Sequence, residues 1–303
     1  YPQPLQNHAW FGLSMLDQSV SDEPVIWFLR LPLDEQGKLQ QSSRDYFIHR
    51  LLEVALEKQT GKHPEADAFK DNPYVFKPKE DRMAVFHAKL AHDLGRPPSR
   101  FYAHSLDYFS GNPGWDQWSF VGYQGIADIA ARVGETAVNE LLVQAIPRLP
   151  RDPHTALCHG LENEPLTLPL SQALVNRLNT ELSAPEPDIS IITALVRGLS
   201  RSISATTRNQ MFGLMMDSPY ATHIELLAAI SGRAWELLQQ PEHAGRYLEA
   251  LAHSPAGQSA CNHCLGDLLA MPGLRTPLLQ AVRDPGRSDE LATAFGAMMR
   301  QLT

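Results

Sequence analysis

The pattern of apolar and polar positions changes character about a third of the way along the chain. Near the start the apolar residues alternate, with Ala9, Phe11, Leu13 and Met15 on one side of the segment from His8 to Leu16. A period of two predicts a half-buried strand. Val25 to Leu31 is apolar or aromatic almost throughout, as expected of a strand covered on both faces. The polar stretch between them ends in Pro24 and has the length of a hairpin loop. Two strands alone are marginal in water, so this hairpin requires a helix or further strands against it.

The pattern then predicts helices. Ser42 or Ser43 can cap the first, which carries Phe47, Ile48, Leu51, Leu52 and Ala55 on one stripe. A Pro- and Gly-containing loop covers residues 60–78. A second helix spaces Met83, Phe86, Leu90 and Leu94 along one face, and a short aromatic helix carries Tyr102, Leu106 and Phe109. Residues 1–114 therefore read as a small α+β domain. No Gly-rich loop follows either strand, and Gly37-Lys38 lacks the upstream glycine of a phosphate-binding loop.

Residues 115–303 read as helix after helix, with a period. Pro153, Pro187, Pro219, Pro255 and Pro285 are spaced by 34, 32, 36 and 30 residues, each following a short polar or acidic residue. Gly125, Gly160, Gly198, Gly232 and Gly266 recur at 35, 38, 34 and 34. Small residues at a fixed place in successive helices let backbones approach, offsetting the ~1 kcal/mol that Gly costs in a helix. A second helix set lies between, marked by Leu170, Leu174 and Leu178, by Phe212, Met215 and Met216, by Tyr247, Leu248 and Leu251, and by Leu278, Leu279 and Val282. Two helices per roughly 34 residues predict an α-solenoid. The tetratricopeptide pattern is not met, so about five HEAT-like pairs are the closer description.

Composition narrows the function classes. A formal charge of −8 disfavours a general nucleic-acid binder. All seven lysines lie at or before Lys89, and every later basic residue is Arg. No apolar run approaches the ~18 residues of a membrane span. Three cysteines are too few for a disulfide framework, which fits a reducing, cytoplasmic setting. The start at Tyr1, with no Met and no signal-like segment, reads as the interior of a longer protein.

Candidate chemistry is sparse. Cys261-Asn-His263-Cys264 has the look of half a zinc site. Its other half would have to come from His154, Cys158 or His159, two or three repeats away, so core cysteines are expected and no metal. Gly257-Gln-Ser259-Ala-Cys261 lacks the closing glycine of a nucleophile elbow. No catalytic residue and no cofactor is therefore assigned. Arg197, Arg201 and Arg208 form the densest basic run, with Arg233 on the next layer. Such a run reads either as a stripe for phosphate or acidic peptide or as a solvated face. Trp115 and Trp118, at the junction of the two regions, are contact candidates if exposed.

Five stretches together carry a family resemblance: His8–Gly12, Ile26–Gly37, Asp71–Phe76, Gly125–Arg132 and Leu195–Ser200. The chain resembles, in order and along nearly its whole length, an uncharacterised gammaproteobacterial family known as a domain of unknown function. The resemblance implies a bacterial, cytoplasmic protein and supplies no reaction. The expectation is a non-catalytic protein-interaction or scaffold module that holds another protein on its solenoid, with Arg197, Arg201, Arg233, Trp115 and Trp118 as contacts. The alternatives are a nucleic-acid factor using the Arg stripe, or an enzyme with a cleft site near Asp45 and His49.

Overall fold

A computed structural model describes residues 8–16, 24–34, 38–59 and 72–302. By contacts the chain forms two compact units, Tyr1–Lys79 and Glu80–Thr303. The Gly- and Pro-containing loop predicted over residues 60–78 lies mostly outside the described residues.

In the first unit, strand β1 (His8–Met15) pairs antiparallel with β2 (Val25–Pro32). The register sets Ala9 opposite Leu31, Phe11 opposite Leu29 and Leu13 opposite Trp27, so one sheet face collects the apolar residues. Helix α1 (Gln41–Gln59) covers that face through Phe47, which is buried with Leu29 and Leu31. The far edge of β2 is covered by the backbone of residues 74–76. Arg30 N donates to the Tyr74 carbonyl at 2.8 Å, and Phe76 N donates to the Phe28 carbonyl at 3.0 Å. On the other sheet face Trp10 meets Phe76 edge-on, centroids 4.7 Å apart. The stripe expected on α1 is only half used: Phe47 is buried, whereas Ile48 and Leu52 are exposed.

The second unit is helical. Helices α2 (Glu80–Asp93), α3 (Tyr102–Phe109), α4 (Tyr123–Ala131), α5 (Thr136–Ala145), α6 (Arg151–Leu161), α7 (Leu168–Leu182) and α8 (Ile189–Leu199) follow one another. Then come α9 (Ala205–Met216), α10 (Ile224–Arg233), α11 (Pro241–Ala252), α12 (Gly257–Ala270), α13 (Arg275–Arg283) and α14 (Asp289–Leu302). Alternate helices are the neighbours. α2, α4, α6, α8, α10, α12 and α14 pack in one row, and α5, α7, α9, α11 and α13 pack in a second. One apolar core runs between them from Tyr108 to Met298. Helices α2 and α3, grouped with the hairpin by the sequence pattern, pack on α4 and belong to this unit.

The two sequence periods fall on one row. Pro153 lies in the first turn of α6, and Pro187, Pro219, Pro255 and Pro285 precede α8, α10, α12 and α14. Only Pro153 therefore has the helix-opening position where a missing N–H costs nothing, and the other four lie in the connections that lead into their helices. The recurring glycines lie on α4, α6, α8, α10 and α12. A Cβ on Gly160 would stand 2.4 Å from Ala130 Cβ, and one on Gly125 would stand 2.8 Å from the Phe101 carbonyl oxygen. At Gly198 the same atom would make ordinary contact, 3.5 Å from Cys158 Sγ, and at Gly232 it would meet nothing within 4 Å. Close approach therefore explains the marker at Gly125 and Gly160 and not at Gly232.

The face of α2 also differs from expectation. Ala84 and Ala88 are buried against Ala127 and Ala131 of α4, while Leu94, expected on the buried stripe, is exposed. Four alanines let the two helices come close, which larger side chains on those faces would prevent. The loop between α2 and α3 is held by α4 as well: buried Asp128 accepts from Ser99 N at 3.0 Å, and Arg132 donates to the Arg96 carbonyl at 3.0 Å.

Inside α6, His154 is fully buried, its Nδ1 3.9 Å from Cys158 Sγ and its Nε2 without a partner among the described residues. Burial, with Arg177 adding to it, pushes its pKa down to about 3. The folded state keeps this ring neutral, whereas the unfolded chain protonates it near 6.5. Stability therefore falls as pH drops through 6.5 towards 3, by on the order of 1 kcal/mol per pH unit. Thermal melts from pH 7 to 4 should show a slope that is shallower in His154→Gln. Chemical denaturation of glycine variants checks the row: Gly160→Ala should destabilise by about 1–3 kcal/mol, and Gly232→Ala should be neutral or stabilising by up to ~1 kcal/mol.

Candidate functional site

The end of α6 carries a charge that the core cannot tolerate alone. Glu162 caps that helix, its backbone N–H bonded to the Cys158 carbonyl, and its carboxylate is completely buried. An ionised carboxylate out of water needs partners. Three arginines from three other helices supply them. Arg197 from the last turn of α8 binds it bidentately, Nε to Oε2 at 2.6 Å and Nη2 to Oε1 at 3.0 Å. Arg233, the last residue of α10, places Nη2 2.7 Å from Oε1. Arg82, in the first turn of α2, places Nη1 3.1 Å from the same oxygen.

The arrangement follows from the row. Glu162, Arg197 and Arg233 all sit at C-terminal ends of α6, α8 and α10, where the helix dipole favours positive side chains. The loops beyond these ends are also joined: Leu166 N donates to the Arg201 carbonyl and Ile203 N to the Leu166 carbonyl, both at 3.1 Å. A second pair lies close by in α2, Lys89 Nζ standing 3.2 Å from Oε1 of the nearly buried Glu164.

Solvent reaches the guanidinium rim and not the carboxylate. The side chains of Arg197, Arg233 and Arg82 are 20%, 34% and 45% exposed, against 0% for Glu162. His159 lies at the same place, Nδ1 4.0 Å from Asp81 Oδ2. Burial, followed by the charge of Arg197, lowers its pKa, so at neutral pH it adds no charge. Three guanidiniums converge on one carboxylate and form a partly exposed rim of N–H donors held in place from beneath. Such a rim matches a carboxylate or a phosphate.

Of the residues singled out by sequence, Arg197 and Arg233 meet at Glu162. Arg201 lies in the turn after α8, exposed, without a side-chain partner among the described residues. Arg208 turns back to donate to the Ser202 carbonyl. Trp115 is half-buried in the second unit, edge-on to Tyr108 at 5.8 Å, and its carbonyl accepts the Tyr108 hydroxyl at 3.0 Å. Trp118 is 36% exposed, near the still more exposed Phe120 and Tyr123 in sequence. Cys261 and Cys264 are free and buried in the core of α12, where burial raises both thiol pKa values. Exposed His263 bonds to the Ser259 carbonyl of its own helix. Among the described residues no group of three His, Cys, Asp or Glu side chains is placed to hold a metal. His49 is exposed on α1, and Asp45 pairs with Arg44.

The sequence reading missed Glu162 and Arg82. The signal for Glu162 was an acidic residue following the Gly160 marker at a helix end; nothing marked Arg82. Glu162→Gln should cost about 3–5 kcal/mol, because three guanidiniums lose their buried counter-charge. Arg82→Ala, removing the most exposed partner, should cost ~1 kcal/mol or less. Urea denaturation of both variants measures the difference.

No helix among the described residues is long and apolar enough to cross a membrane. No curated protein and no solved structure matches the chain. One family model does, over residues 1–299, and its description is a protein of unknown function, DUF3549. That match takes in both the hairpin unit and the helix rows, and the chain belongs to the DUF3549 family.

Proposed function

We propose that this protein is a non-catalytic interaction module of the cytoplasm, whose HEAT-like helical rows hold an acidic segment of another protein. The observation that carries the reading is the guanidinium rim over Glu162. A buried carboxylate fixes Arg197 and Arg233 at aligned helix ends, with solvent still reaching both guanidiniums. Pre-positioned donors lose little side-chain freedom when a ligand arrives, which favours binding. Arg201, exposed on the adjoining turn, extends the positive edge. Exposed Trp118 supplies an aromatic contact of the kind that anchors interfaces. The overall acidity of the chain favours a protein partner over nucleic acid.

The test is capture of partners by the tagged protein from its own host, with and without nuclease. Wild type should retain a stoichiometric protein partner after nuclease treatment. Arg82→Ala with Arg201→Glu, both at exposed positions, should weaken the purified pair at least about tenfold, with unchanged circular dichroism. Undiminished affinity in that variant removes the rim from the interface. Partners seen only without nuclease would make the protein a nucleic-acid-associated factor instead.

A further inference from the structure

The hairpin of the first unit has two edges, and they are treated differently. Residues 74–76 cover the edge of β2, whereas among the described residues no strand pairs with the other edge of β1. Among the described residues Ala9–Met15 have no ladder partner on that side, and such an edge is a template for another strand. Soluble proteins guard such edges with Lys, Pro, inward charges or a bulge. His8-Ala-Trp-Phe-Gly-Leu-Ser-Met15 contains no Lys, Arg, Asp, Glu or Pro, and its pairing with β2 runs without a bulge.

The same strand is complementary to itself. Two copies of β1 side by side and antiparallel are related by a two-fold axis perpendicular to the sheet, so opposed residues come from the same face. With the axis at Gly12, Phe11 of one copy opposes Leu13 of the other, Ala9 opposes Met15, and Trp10 opposes Ser14. Every residue on the apolar face then has an apolar partner, and no like charges meet. Phe11 and Leu13, 36% and 37% exposed on the face that α1 covers only in part, become neighbours across the seam. Gly12 puts no side chain at the axis, where the two chains come closest.

We propose that β1 is a homodimerisation edge, joining two copies of this chain in a continuous antiparallel sheet with Gly12 on the two-fold axis. The occupant is a second copy because the pairing gives every residue of the strand's apolar face an apolar partner, and because a two-stranded hairpin gains most by extension. This inference is independent of the arginine rim, which lies in the other unit.

Sedimentation velocity on the full chain at micromolar concentrations should show a dimer. Phe11→Lys with Leu13→Lys sets lysine against lysine twice across the axis and should raise the dimer Kd at least about tenfold. Phe11→Lys with Leu13→Glu removes the same apolar groups yet sets lysine against glutamate, and should retain more dimer than the double lysine. Should both variants lose their fold, nitroxides on Ser14→Cys in the otherwise native protein give the answer. The proposed register separates those two Cα atoms by about 14 Å. A monomeric wild type, equal dimerisation of the two charge variants, or Ser14 labels far beyond that separation would each overturn the proposal.

Discussion

A single buried carboxylate holds together what the hydrophobic effect leaves unspecified. Apolar burial is non-directional, so leucine-rich helices could slide along one another at little cost in contact area. Glu162 cannot slide. Its oxygens are met by groups from α2, α8 and α10 at distances of 2.6 to 3.1 Å, and displacement of any of these helices would leave charge unpaired in a dry place. The cost of that misalignment, rather than the net strength of the ion pairs, opposes sliding of α2, α8 and α10 against α6.

The row itself is written in two layers of sequence. Apolar stripes make each helix bury a face, and Asp188 and Ser204 start two of them by accepting backbone N–H bonds at the N-termini of α8 and α9. The proline and glycine markers give that pattern a second, longer period. They recur at the spacing of a helical pair, so they land on alternate helices, and those helices touch. This is why the helical architecture was legible from one chain with no relatives beside it.

Other features were less legible, for identifiable reasons. The face of α2 was misjudged because hydrophobicity ranks Met83, Phe86 and Leu94 above Ala84 and Ala88, whereas close helix packing selects for smallness. The apolar stripe of α1 was read correctly as a stripe, but its sequence does not say that the hairpin covers only part of it. At the arginine cluster, the visible half was positive. Arg197 and Arg233 stood out as basic residues at repeat spacing, while Glu162 was one acidic residue among 34 Asp and Glu. A charge hub is a three-dimensional object whose members lie up to 151 positions apart along the chain, from Arg82 to Arg233, and no local window contains it.

The unequal surroundings of the row's glycines have a consequence for sequence change. Where α4 and α6 meet at Gly160, backbone and side chain are in such close contact that tilting one helix drives atoms together at once. Gly232 lies instead at an exposed position, where an added side chain would meet nothing within 4 Å. The first of these sites therefore admits only the smallest residue, while the second leaves room for a larger one. Sequence change along the row is thus confined by helix contact at Gly160 and left free beside Arg233, so the shared glycine spacing hides two positions under unlike constraint.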